Sequence, residues 1–204
     1  MKEDGHEQDG GGRRRYRKRR RAAQEDATRR RITEAAVDLH GSVGPAKTTV
    51  SAVAERAGVQ RATVYRHFPD EAALFAACSA HWMGEHPLPD LAAWAAVADP
   101  ERRLREALGE LYAWFERGER MLEKTTRDVA VVPAMRPAME GSAMWAEAAA
   151  ETLMRGRRER GSRRRRVRAA IGHALSFATW RSLVREQGLS EAEAVELMIG
   201  LARL

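Results

Sequence analysis

Thr48 to Phe68 reads TTVSAVAERAGVQRATVYRHF, two short helical patterns closing on a glycine turn. Val50, Val53 and Ala54 share one face of the first pattern, and Ala57-Gly58-Val59 ends it with glycine where a helix stops in the left-handed conformation. The second pattern starts at once. Val64 and Phe68 lie one turn apart and point inward, while Gln60, Arg61, Thr63, Tyr65, Arg66 and His67 crowd the remaining surface with hydrogen-bonding groups.

The flanks extend the same helical grammar. Ile32, Ala35, Ala36 and Leu39 give a buried stripe to a first helix over about Asp26 to Leu39, and Gly41 to Pro45 breaks it. Thr48 or Thr49 caps the next helix. Pro69-Asp70 opens another, with Asp70 as cap and Leu74, Phe75, Cys78 and Trp82 on its apolar side. Ala, Leu, Arg and Glu dominate the 204 residues, Pro is sparse at 7, and the 44% hydrophobic content suffices for a core. These propensities predict an all-α fold.

The stretch TTVSAVAERAGVQRATVYRHFPD, with its AGV turn and TVYRHFP segment in register, resembles the helix-turn-helix of TetR-family transcriptional regulators. The likeness is specific over Ile32 to about Phe75. It implies a homodimeric, all-helical, ligand-responsive DNA-binding protein, usually a repressor, with double-stranded operator DNA as partner and no cofactor. Three positions depart from the family pattern. Gln60 stands where a small cap such as Ser is usual, Ala62 replaces a frequent Gly, and Glu71 takes the place of a Lys that commonly touches phosphate. The expected division is a disordered basic arm over 1–25, a helix-turn-helix domain with its connecting helix over 26–86, and an effector-binding and dimerisation domain over 87–204.

Within that frame the candidate DNA-binding residues are Thr48, Thr49, Gln60, Arg61, Ala62, Thr63, Tyr65, Arg66 and His67. Thr48 and Thr49 stand at a helix start, where free N–H groups form a phosphate site. Gln60 matches an adenine edge and Arg61 a guanine edge, because paired donors and acceptors are needed there. Thr63 fits a thymine methyl or a phosphate, and Tyr65, Arg66 and His67 fix the backbone register.

The net charge of +7 is unevenly placed. Residues 1–21 carry +5 and 155–168 carry +8, leaving −6 elsewhere. The first patch either lies along phosphates or is a solvated tail; the second reads as an exposed loop.

Beyond His86-Pro87-Leu88-Pro89-Asp90, a proline-interrupted boundary, Asp99-Pro100 starts a long helix and Pro133 to Pro137 breaks it. All five Trp and every Met except Met1 lie after the helix-turn-helix itself. Leu111, Trp114, Phe115, Met135, Met144 and Trp145 are therefore candidates for a pocket taking a mainly apolar effector, although the same residue types fill ordinary cores. The apolar pair of helices at the chain end, the last opened by a Ser190–Glu193 capping box, fits either a four-helix dimer interface or the monomer's own core.

An enzyme is not expected: there is no phosphate-cradling glycine loop after a strand, no HExxH or CxxC, and the six His show no metal spacing. Cys78 and His81 are i, i+3 without a further ligand nearby, and Glu106 and Glu110 read as a solvated face. One cysteine, no apolar leader and no bilayer-length apolar run give the expectation of a cytoplasmic protein without membrane attachment.

Overall fold

The computed structural model describes residues 9–203. They form α1 (Asp9–Ser42), α2 (Val50–Ala57), α3 (Arg61–His67), α4 (Glu71–Glu85), α5 (Leu91–Ala96), α6 (Pro100–Asp128), α7 (Arg136–Met154), α8 (Gly161–Ala174), α9 (Phe177–Arg181) and α10 (Glu191–Leu201). No strand occurs among the described residues. Turns of 3₁₀ type at Pro45–Lys47 and Pro133–Met135 precede α2 and α7, and a π-helical stretch, Ser182–Glu186, prolongs α9.

The helix starts are set by side chains. Thr49, Asp70 and Asp99 each accept backbone N–H bonds from the first turn they open, and Ser190 with Glu193 forms a reciprocal capping box. Each such cap contributes about 1 kcal/mol.

Two cores result. The smaller joins Ile32 and Ala36 of α1, Val53 of α2, Val64 and Phe68 of α3 and its end, and Leu74 and Cys78 of α4. The larger centres on α6, where Leu104, Leu108, Leu111, Tyr112 and Phe115 meet α7, α8 and α10 around Trp180. Helix α4 serves both: its first half packs into the head, and Trp82 and Met83 lie against the body core. Arg103, buried in the body, donates to the carbonyls of Val97, Ala98, Thr152 and Arg155, so its charge is met by the C-terminal dipole of α7 and a loop.

The junction of head and body is a second close contact. Asp128, at the end of α6, accepts the Ala46 N–H at 2.9 Å, and Arg127 donates to the Val43 carbonyl at 3.1 Å. Gly44 makes this possible. Its φ is +97°, and a Cβ there would collide with the Arg127 guanidinium and the Asp128 carboxylate.

Three expectations need correction. The arm placed at 1–25 as disordered is helical from Asp9, and its residues 12–25 are exposed; residues 1–8 lie outside the described part. Arg and Lys are good helix formers, and Arg21 bonds Glu25 one turn on at 3.1 Å. Against this, like charges at i, i+4 such as Arg14–Lys18 and Arg17–Arg21 each cost about 0.2–0.5 kcal/mol. The second correction concerns 155–168: α8 already begins at Gly161, and Arg168 is held by Glu147 and, at 2.8 Å, by Glu151 of α7. Third, the first of the two apolar helices expected at the chain end is split after Ala174, because the Ser176 side chain caps α9 by accepting from the Ala178 N–H.

Candidate functional site

Two regions carry the residues singled out from the sequence. The first is the exposed side of α2–α3. Gly58, with φ +64°, closes α2 in the left-handed conformation, and the Val59 N–H returns to the Ala54 carbonyl at 2.9 Å. This reverses the chain so that α3 starts at once. Val64 and Phe68 are 1% and 2% exposed, which fixes the opposite face outward.

On that outward face Gln60, Arg61, Ala62, Tyr65 and Arg66 are exposed and Thr63 is half-buried. Gln60 opens the helix without using its side chain as a cap, so the family's small capping residue is not replaced in kind. Thr49 is exposed and caps α2 through Ala52 N–H, whereas the half-buried Thr48 turns its hydroxyl to the Gly44 carbonyl at 2.9 Å. His67 is half-buried with Nε2 turned inward and unpartnered, since it adjoins the buried stripe of Val64 and Phe68. Thr49, Gln60, Arg61, Ala62, Tyr65 and Arg66 are thus exposed, and Thr48, Thr63 and His67 lie further in. Arg29 of α1 locks the far end of α3: its guanidinium lies 4.2 Å over the Phe68 ring and donates to the His67 carbonyl at 2.6 Å.

Glu71, at the first turn of α4, is exposed and favours that helix's positive end, an arrangement a Lys would lose.

The second region is a cavity of about 380 Å³ enclosed by α1, α4, α6 and α7. Val37 and His40 form one wall, Phe75, Cys78, Trp82 and Met83 the next, Trp114, Met121, Leu122 and Thr125 the third, and Met135, Ala138, Met139 and Ser142 the last. No lining side chain is an acid, a lysine or an arginine. Trp82 meets Trp114 edge-on with ring centres 5.6 Å apart, and His40 stacks on Phe75 at 4.7 Å. Burial lowers the His40 pKa to about 4, leaving a neutral imidazole at pH 7, and pushes the Cys78 thiol up to about 12, where it is unreactive.

Of the six pocket candidates, Trp114 and Met135 line this cavity. Leu111 and Phe115 face the solid body core instead. The reason is helical phase: 111 and 115 share the stripe of Leu104 and Leu108, while 114, 121, 122 and 125 share another. Trp145 packs edge-on against Trp94 at 5.8 Å, and Met144 is 75% exposed. His40, Trp82, Met121 and Met139 are among the lining residues that local spacing missed. The available signal was the second stripe of α6, Trp114-Met121-Leu122-Thr125, which is apolar yet out of phase with its core stripe.

A helix-turn-helix head on a helical body that encloses an apolar cavity defines a class of DNA-binding regulator fold. Residues 32–78 match the model of bacterial regulatory proteins, tetR family. The fold is similar to a TetR-like transcriptional regulator from Rhodococcus sp. RHA1, at 19% identity, 86% coverage of this chain and 93% of that one, and TM-score 0.61. It is similar to the regulator FadR from Bacillus subtilis in complex with stearoyl-CoA, at 16% identity, 84% and 96% coverage, and TM-score 0.62. NalD, the secondary repressor of the MexAB-OprM multidrug efflux pump in Pseudomonas aeruginosa, aligns at 20% identity, 88% and 96% coverage, and TM-score 0.56. No curated protein matches significantly. The chain carries a TetR-family helix-turn-helix head and has the fold of TetR-family transcriptional regulators. Among the described residues no helix is long and apolar enough to cross a membrane.

Proposed function

We propose that this chain is a homodimeric transcriptional repressor that reads a near-palindromic operator with α3 and leaves it when an uncharged, apolar molecule fills the cavity. The observation that carries the reading is the cavity's position. Its walls include α1 and α4, the helices that hold the head core, so a ligand there acts on the elements that position α3.

The contact of Asp128 with Ala46 supports a second route for the same signal, because Met121 and Thr125 on the cavity wall lie on the helix that Asp128 ends. Dimerisation through α8 and α10 is supported by their outer sides, where Leu197 and Leu201 are 50% and 38% exposed beside the exposed small residues Ala169, Gly172 and Gly200. Two α3 helices in such a dimer would enter successive major-groove turns about 34 Å apart. The lining chemistry favours ligands with aromatic or aliphatic bulk and no net charge, since nothing in the wall would pair a buried ion.

The test is a panel of uncharged lipophilic compounds scored for quenching of Trp fluorescence and for release of a selected operator duplex. Compounds that quench should release, and Ala138→Phe, which fills the cavity, should abolish both effects while leaving operator affinity intact. Release that is indifferent to the filled cavity would overturn the ligand site.

A further inference from the structure

A second cavity, also of about 380 Å³, lies where the head meets the body. Thr48, Thr49 and Val53 wall it on the side of α2, Glu71 and Leu74 on the side of α4, and residues 131–133, between α6 and α7, on the side of the body. His40 and Phe75 line both cavities, so this stacked pair is the partition between them. Glu71 and Val131 are exposed, which makes the second cavity accessible from solvent.

His40 is the first sign of a ligand. Its side chain is 5% exposed, yet neither ring nitrogen has a hydrogen-bond partner among the described residues. The buried polar atoms there that have neither a partner nor access to open space are His67 Nε2 and Glu159 Oε2. Both His40 nitrogens therefore open onto the space that the ring lines. A buried polar group left unpaired is costly, and a ligand that bonded it would relieve that cost.

The other polar groups of the wall share one character. The Glu71 carboxylate has neither an ion pair nor a hydrogen bond among the described residues. It stands one turn before Phe75 on the same face of α4, so carboxylate and stacked imidazole flank one stretch of the cavity. The Thr48 hydroxyl gives its hydrogen to the Gly44 carbonyl, which leaves its oxygen to accept, and a neutral imidazole offers a further acceptor. No Lys or Arg lines the cavity: Lys47 is exposed outside its wall, and Arg127 is committed to Asp128 and the Val43 carbonyl. An anion would meet Glu71 unopposed, and a hydrocarbon would leave the acceptors unused.

We infer that this junction cavity is a binding site for a small lipophilic amine, with Glu71 as counter-ion, His40 as hydrogen-bond acceptor, and Val53, Leu74 and Pro133 against the apolar part. The occupant touches α1, α2 and α4 of the head together with residues 131–133, so it braces the head against the body. It is a different molecule, in a different place, from the uncharged effector of the first cavity.

The test uses the full chain without DNA and three probes of matched carbon skeleton: phenethylamine, phenethyl alcohol and phenylacetate. Calorimetric titration should show saturable binding of the amine, about tenfold weaker binding of the alcohol, and none of the carboxylate. Glu71→Gln, a change at an exposed position, should bring the amine down to the alcohol's affinity. His40→Phe keeps a ring on Phe75 but removes the acceptor, and should weaken the amine several-fold. Ala138→Phe, which fills the first cavity, should leave amine binding as it was.

No saturable amine binding, equal binding of amine and alcohol, or an amine affinity indifferent to Glu71→Gln would overturn the site. So would loss of amine binding in Ala138→Phe, which would assign the amine to the first cavity. None of these results touches the operator reading, because no DNA enters the titration. Conversely, a chain that held the amine as expected but showed no operator preference would keep this site and lose that reading.

Discussion

The head and the body solve opposite packing problems. The head uses small and β-branched side chains, Ile32, Ala36, Val53, Ala54 and Val64, closed by the single ring of Phe68, and leaves an outward face of α3 that is polar. The body spends its large side chains unevenly, filling the space around Leu111, Phe115 and Trp180 and leaving a void beside Trp82, Trp114 and Met135. A tight core presents a surface; a loose one admits a ligand. The two meet along α4 and at the Asp128–Ala46 hydrogen bond, where a change in one is felt by the other.

The sharpest way to separate them is Phe68→Ala, which should cost the head about 3–5 kcal/mol. Because all five Trp lie outside the small core, thermal unfolding followed by Trp fluorescence should keep its main transition while helical circular dichroism gains an earlier one. A single coincident shift in both signals would mean that head and body unfold as one unit.

His40 supplies the next largest effect. Its pKa falls from 6.5 to about 4 through burial, so the unfolded chain takes up a proton between those values and the folded chain does not. Stability should therefore decline as pH drops from about 6.5 to about 4 and level off below, for a loss of about 3 kcal/mol. His40→Phe should flatten that decline in denaturant titrations; a variant with the wild-type pH profile would place the titration elsewhere.

Gly44→Ala attacks the junction. The left-handed φ and the collision with Arg127 and Asp128 should cost about 1–3 kcal/mol and weaken the coupling of ligand to operator release. Unchanged coupling, read as the ratio of operator affinity with and without ligand, would leave the route to α1 and α4. The smallest effect is expected at Met144→Ala, within about 0.5 kcal/mol in the same denaturant titrations and without effect on ligand binding, since that side chain is 75% exposed.

The same contrast explains what was legible in the sequence. Caps, the Gly58 turn and the polar face of α3 depend on residues within a few positions of one another, so Thr49, Asp70, Asp99, Ser190 and the α2–α3 reversal could be read directly. The cavity depends on how α1, α4, α6 and α7 fail to fill the space between them, which no local window records. Residue type alone points to Trp114 and Met135, which line the cavity. Leu111 and Phe115 face the core instead, because a step of one residue turns a helix by about 100°, enough to exchange the void for the core. The helical state of residues 9–25 was missed for another reason: their charge pattern argues for an exposed chain, and exposure does not decide between coil and helix.

The central claim is that α3 reads duplex DNA in symmetric pairs, and selection of bound duplexes from a random pool by wild-type and Arg61→Ala protein tests it most directly. The account predicts an enriched inverted repeat with half-site centres about 34 Å apart, and in the variant a loss of preference at one base position in each half, worth about 1–3 kcal/mol. No enrichment by the wild-type protein, or enrichment of a lone half-site bound by a single chain, would contradict it.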